Sequence, residues 1–324
     1  MFIRSSMATL AVLALVAPTT LAQSASTISK EALEALGETV SQYVAKDQAV
    51  GAELLVMQQG EVLLHQSFGY ADRESERAWQ NDTVCNIRSM TKPITAAAAQ
   101  LLIDRGKLDL DATVAKYLSS FDNDKSRSIT VRQVLTHRSG FPLTNLTSVD
   151  QYASLAEQVA AAGAQGPEFK PGSKFWYSDM GTDVVGALVE TVSGRPLHEF
   201  VSQEILEPLG MTNSFYGIDA SDERFPSIAS LYLKDPKGWK RFWKPEDKPF
   251  YPCAWGSQTI YSTPTDYATF LTMFMNVGRV GDRQLLSPAA VDRMLAPVSK
   301  TKMMGSNEEL PTGFKNLTSY YGQM

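Results

Sequence analysis

The sequence predicts a mixed α and β fold (α+β), an antiparallel sheet flanked by helices, and three observations predict it. A stretch near the start places Leu33, Leu36, Val40 and Tyr43 on one face at helical spacing. Two extended apolar runs follow it around a glycine turn, which is the pattern of a hairpin. Beyond residue 90 the chain then turns largely helical. Its 324 residues suffice for a sizeable core and allow one or two domains. No internal repeat or low-complexity linker divides it.

Residues 1 to 22 read as an export signal. Arg4 supplies the positive start, Ala8 to Ala17 the apolar run, and Thr20-Leu21-Ala22 a small-residue cleavage site before Gln23. That run is too short to span a bilayer, and no later segment has the length of a membrane helix. The next elements are a helix from Lys30 to Ala45 and strands from Gly51 to Met57 and Val62 to Tyr70, joined around Gln58-Gln59-Gly60-Glu61. A further helix, Ile94 to Ile103, is rich in alanine. Ala153 to Ala162 and Gly181 to Ser193 repeat at helical period, and Gly194 stops the second. Val201 to Leu206 reads as another helical piece. Residues 234 to 252, rich in Lys, Pro, Trp and Phe, read as a long loop near the mouth of the site, and Asp266 to Val277 returns to helix.

With 30 basic and 35 acidic residues the chain carries a formal charge of −5. A mildly acidic chain with no basic run lacks the electrostatic footprint of nucleic-acid binding. After signal cleavage no membrane association is expected either, and the product belongs in a bacterial periplasm or outside the cell. Cys85 and Cys253 either pair in that oxidising compartment or serve as small buried groups. His65, His137 and His198 show no metal-ligand spacing, so neither metal nor cofactor is expected, and His137 suits a turn or packing role. The G-x-S-x-G elbow of α/β-hydrolases is absent.

The chemistry concentrates in Asn86-Ile87-Arg88-Ser89-Met90-Thr91-Lys92-Pro93. Ser89 and Lys92 are three residues apart at a helix start, on one face. The positive end of the helix dipole and the unpaired amides of the first turn stabilise negative charge on an oxygen there. A nearby amine can take the hydroxyl's proton. Serine is also a favoured helix cap, so the spacing alone is a weak signal. A second copy, Ser299-Lys300-Thr301-Lys302, has no apolar helix after it and reads as accidental.

Ser89-Met90-Thr91-Lys92 matches the S-x-x-K signature of penicillin-recognising serine enzymes. Three later blocks strengthen the likeness. Ile129 to Phe141 resembles the I-T-x-R-x-L-L-T-H-T-S-G element of class C β-lactamases and family VIII esterases. Pro171-Gly172 and Phe175 to Gly181 resemble F-x-Y-S-N-x-G, with Pro208-Leu209-Gly210-Met211 as the P-L-G-M turn. Trp255 to Thr263 with Asp266-Tyr267-Ala268 is similar to G-G-G-x-x-S-T-x-x-D-x-A. The blocks run in order from about residue 30 to 295. The resemblance implies a β-lactamase-like α/β fold with an inserted all-helical part, one hydrolase domain over residues 23 to 324, and Ser89 between the two parts.

Carried over residue by residue, the resemblance implies that Ser89 is the acyl-forming nucleophile, Lys92 its partner and Tyr177 the group that shuttles the proton. A charged lysine beside Tyr177 would favour the phenolate, so the pair would share a proton near neutrality. Asp179 departs from the usual asparagine. As a carboxylate it only accepts hydrogen bonds and would hold Lys92 charged, which harms a β-lactam amide more than a simple ester. A second departure lies at the end. No K-T-G, H-T-G or W-x-G motif follows Leu285-Leu286-Ser287-Pro288, and Ser319-Tyr320-Tyr321-Gly322 looks like the strand that precedes it. On this reading the C-terminal strands are missing, an oxyanion-hole donor goes with them, residues 310 to 324 pack poorly and a sheet edge stays open beside Ser89. The expected substrate is a small ester cleaved through an acyl-serine. The alternatives are class C β-lactamase or D-alanyl peptidase activity on an amide, or a catalytically silent binding homologue. The oligomeric state is left open.

Overall fold

A computed structural model describes residues 28–143, 149–301 and 319–323. The expected export segment, residues 1 to 22, lies outside them. Helix α1 (Lys30–Ala45) starts where the Ser29 hydroxyl accepts from the Ala32 N–H. Strands β1 (Gly51–Gln58) and β2 (Glu61–Asp72) pair antiparallel, Leu55 opposite His65 and Gln58 opposite Glu61. Gln59 and Gly60 both take positive φ, +54° and +88°, as a two-residue turn between right-twisted strands requires. β3 (Arg77–Ala78) adds to β2. Among the described residues β1 lies at the sheet's edge, with β2 as its only neighbour.

β4 (Cys85–Asn86) leads through a tight turn at Arg88–Met90 into α2 (Thr91–Asp104). α2 is buried from Thr91 to Leu102 apart from Pro93, with the run Ala96 to Ala99 at its centre. A helix apolar all round belongs inside, and alanine lets neighbours approach closely. Around it lie α3 (Val131–Leu135), α4 (Leu155–Gln165), α5 (Asp179–Ser193) and α6 (Leu197–Val201), which widens into a π-type turn over Ser202–Leu206. Thr130 and Gln133 form a reciprocal cap for α3, while the Ser154 and Ser178 hydroxyls cap α4 and α5. Gly194, at φ +71°, ends α5 in the left-handed conformation.

β5 (Phe215–Tyr216) comes next, then β6 (Leu231–Asp235) and β7 (Gly238–Trp243). This hairpin corrects the long loop expected over 234 to 252. Its alternation is masked because the hairpin stands outside the main core, held by polar anchors. Arg241 reaches Asp72 at 2.6 Å, and the Trp239 indole N–H donates to the Asp47 carbonyl at 3.1 Å. β8 (Ile260–Ser262) pairs with β4 on one side and β5 on the other. The chain continues through α7 (Pro264–Met275), the small pair β9 (Arg279–Val280) and β10 (Arg283–Gln284), and α8 (Pro288–Leu295).

β11 (Ser299–Thr301) pairs antiparallel with β12 (Ser319–Tyr321). Loose packing was expected for 310 to 324, yet the described part of that segment is docked. The Gln100 side-chain amide donates to Gln323 at 2.9 Å, and the Tyr321 ring lies 5.2 Å from that of His137. Ser299, the serine of the second S-x-x-K copy, sits in β11 and accepts from the Arg138 guanidinium at 3.0 Å. Both cysteines are free thiols. Among the described residues no helix is long and apolar enough to cross a membrane.

Candidate active site

Ser89 lies in the turn just before α2 rather than in the helix itself. Arg88 holds φ +50°, a conformation uncommon for a residue with a side chain, and its N–H donates to the Asn86 side chain. The Asn86 amide donates to the carbonyls of Gln258 and Ile260, so β4, β8 and the turn before β8 fix the backbone that presents Ser89.

Lys92 follows one helical turn later and is buried at 3% exposure. An ammonium has three donors, and three acceptors surround this one: Ser89 Oγ at 2.8 Å, Asp179 Oδ1 at 2.6 Å and the Ser257 carbonyl at 3.4 Å. Asp179 is the first residue of α5, buried at 4% exposure. The predicted site residues Ser89, Lys92 and Asp179 are therefore in direct contact.

Tyr177 completes the group differently from expectation. Lys92 Nζ sits 4.7 Å from the centroid of the Tyr177 ring, a cation–π contact with the ring. Burial pushes the phenol up to about 12, and the Asp179 charge adds to this, against hydrogen bonds from Ser89 and Tyr321 that pull it down. The phenolate shared with lysine near neutrality is thus corrected to a neutral phenol. The physical reason is that Asp179 offsets the lysine charge while burial penalises the anion.

His137 fulfils the turn and packing role read from its block. Its φ is +53°, and its ring is fully buried 4.6 Å from that of Tyr177 and 5.8 Å from that of Phe175. Nδ1 accepts from the Ser178 N–H at 3.1 Å. Burial and the charge of Lys92 push the imidazole down to about 3, so it stays neutral beside the ammonium.

Three contributors were not foreseen. Tyr321 packs its ring 5.8 Å from that of Tyr177. Ser257 supplies a carbonyl to Lys92. Asp183, one turn beyond Asp179 on α5, accepts from the Ser257 N–H at 3.0 Å. A sequence signal for Asp183 existed: a carboxylate four residues after Asp179, followed by the apolar run Val184 to Val189, shares its face. The turn is seated by Gly256, where an added Cβ would lie 2.5 Å from the Thr182 carbonyl. Gly256→Ala is expected to cost about 1–3 kcal/mol, as overpacking against rigid backbone does; a shift in the urea midpoint checks it.

The family model described as Beta-lactamase matches residues 36–315 of the chain. Protein Rv1367c of Mycobacterium tuberculosis is 29% identical over 299 residues, covering 82% of this chain and 73% of its own length. Esterase EstB of Burkholderia gladioli is 32% identical over 208 residues, covering 59% of this chain and 53% of EstB. The octameric penicillin-binding protein homologue of Pyrococcus abyssi superposes with a TM-score of 0.72 at 25% identity, covering 83% of this chain and 61% of that one. The chain thus spans less than two thirds of the length of the last two. With a family match over most of its length and the same mixed fold, the chain belongs to the beta-lactamase family.

Proposed function

We propose that the chain is an exported serine hydrolase that cleaves small carboxylic esters through an acyl-serine intermediate. The observation that carries this reading is the contact of the partly buried Ser89 Oγ with the buried Lys92 Nζ at 2.8 Å at the head of α2. Ser89 attacks the acyl carbon, and the amides at the head of α2 stabilise the charge that develops on the attacked oxygen. Ser89 passes its proton to Lys92 as the lysine passes one of its own to the Asp179 carboxylate, and the Tyr177 phenol protonates the leaving alkoxide and is reprotonated from the lysine, which recovers its proton from Asp179. Water then releases the acid by the same steps in reverse order.

Ester rather than β-lactam chemistry is favoured by Asp179. Its carboxylate is engaged by Lys92 at 2.6 Å and has no N–H to offer a substrate carbonyl. The likeness to EstB points the same way. A fluorophosphonate probe tests the reading, since covalent labelling needs an activated serine. Labelling at Ser89, with turnover of a p-nitrophenyl ester and none of a chromogenic cephalosporin, is the expected result. A chain that stays unlabelled is a silent binding homologue.

Tyr177→Phe separates the shuttle from mere packing. It is expected to lower kcat by about a hundred to ten thousand fold with KM little changed, the usual scale of general acid–base help. Steady-state kinetics on the same ester checks this, and a KM effect without a kcat effect would leave Tyr177 a wall of the site.

A further inference from the structure

We propose that Asp183 is a positioning residue for the serine–lysine pair, fixing through the Ser257 backbone the third acceptor of the Lys92 ammonium. This rests on the serine hydrolase reading of the site. Asp183 is completely buried on α5, among residues where an apolar side chain would cost less. Both of its oxygens are used: Oδ1 accepts from the Ser257 N–H and Oδ2 from the Gln158 amide of α4, each at 3.0 Å.

The Ser257 residue is the link. Its N–H is held by Asp183 and its carbonyl faces Lys92 Nζ at 3.4 Å. The Gly256 carbonyl, the other end of the same planar peptide as the Ser257 N–H, is held by the Thr95 hydroxyl at 2.6 Å, so that peptide is clamped from both sides. Losing Asp183 therefore leaves this peptide tethered by Thr95 alone, able to rock about that bond and carry the Ser257 carbonyl with it, without releasing the whole turn. An ammonium that loses its third acceptor is held by Ser89 Oγ and Asp179 alone, and its flexible stem can draw toward the closer carboxylate, lengthening the contact with Ser89. A buried carboxylate that only tied α4 to α5 would not place its partner against the lysine.

The charged and titratable groups that face Asp183 come from each neighbour. α2 contributes Lys92, α5 contributes Asp179, the segment before the turn contributes Tyr251 and Cys253, and α4 contributes the neutral Gln158. Burial, with the Asp179 charge, pushes the Asp183 carboxyl up to about 7, against the Ser257 hydrogen bonds and Lys92.

The test compares the wild type, Asp183→Ala and Asp183→Asn by ester kinetics, fluorophosphonate labelling rate and thermal melting, across pH on both sides of neutrality. Asp183→Ala is expected to lose about tenfold in kcat and labelling rate with KM little changed, the scale of one lost hydrogen bond. Asp183→Asn can keep both bonds once the Gln158 amide turns, because Gln158 Oε1 has no partner among the described residues. It is expected to recover most of that loss while losing the inflection near neutrality. Wild-type rates and pH profile in both variants would overturn the proposal. If Asp183→Ala does not fold, Asp183→Leu, which keeps the branched shape without an acceptor, decides: wild-type kcat and labelling rate in that folded variant overturn it. A wild type that labels normally in that case leaves the serine hydrolase reading intact, whereas a wild type that never labels removes both.

Discussion

Ser89→Ala is expected to abolish ester hydrolysis and fluorophosphonate labelling, with turnover falling on the order of a million-fold, the loss typical when a nucleophile is removed from an intact site. The fold should survive, because the hydroxyl is only partly buried and its described partners are site residues. Ser299→Ala is the matched control. Ser299 has a lysine three residues later but faces Arg138 from β11. Its loss removes one hydrogen bond and should leave kcat unchanged. Retained turnover in Ser89→Ala, measured with a p-nitrophenyl ester, would remove Ser89 from the nucleophile's role.

The second large effect concerns stability. Lys92 and Asp179 form a buried ion pair with side chains only 3% and 6% exposed. Lys92→Ala leaves a carboxylate in the interior, and Asp179→Ala leaves an ammonium there. Each is expected to cost about 3–5 kcal/mol, as breaking a buried pair does. Replacing both, as Lys92→Met with Asp179→Leu, should recover much of the stability, since an apolar pair of similar volume carries no desolvation penalty. Activity should not return in the double variant. Denaturant unfolding of the three variants checks this: additive losses would mean that the two charges do not serve each other.

Asp183 adds a pH dependence whose sign is fixed by its environment. Its folded carboxyl is raised from 3.8 to about 7, so the neutral form is the stable one inside. The stability it contributes is complete below the unfolded value and is lost as pH rises through about 7. Asp183→Asn should therefore melt closer to the wild type in acid and above it in alkali.

Local patterns made much of this molecule legible. Helix α1 and the β1–β2 hairpin follow from amphipathic spacing and the Gln59-Gly60 turn, and Gly194 marks the end of α5. Ser89, Lys92, Tyr177 and Asp179 were readable from ordered blocks, although the last two lie more than 80 positions from Ser89. What escaped was set by tertiary contact. The β6–β7 hairpin stands outside the main core, so its alternation does not follow an inside–outside rule. The neutral state of Tyr177 depends on burial and on the Asp179 charge, neither visible in the residues next to it. Ser257 enters through a backbone carbonyl, which side-chain identity cannot announce.

The alanines of α2 act as a gauge block between two halves of the candidate site. Lys92 stands on α2 and Asp179 on α5, and the two helices pack together along a stretch where Ala96 to Ala99 are buried. Short side chains on the side of α2 that meets α5 let the helices lie close, and so bear on whether a lysine can span the gap to the carboxylate and still reach Ser89. Because interiors are close-packed and transmit strain, a single added methyl group well below the serine would widen that spacing. The hydroxyl, amine and carboxylate would then lose their common meeting point without any of them being changed.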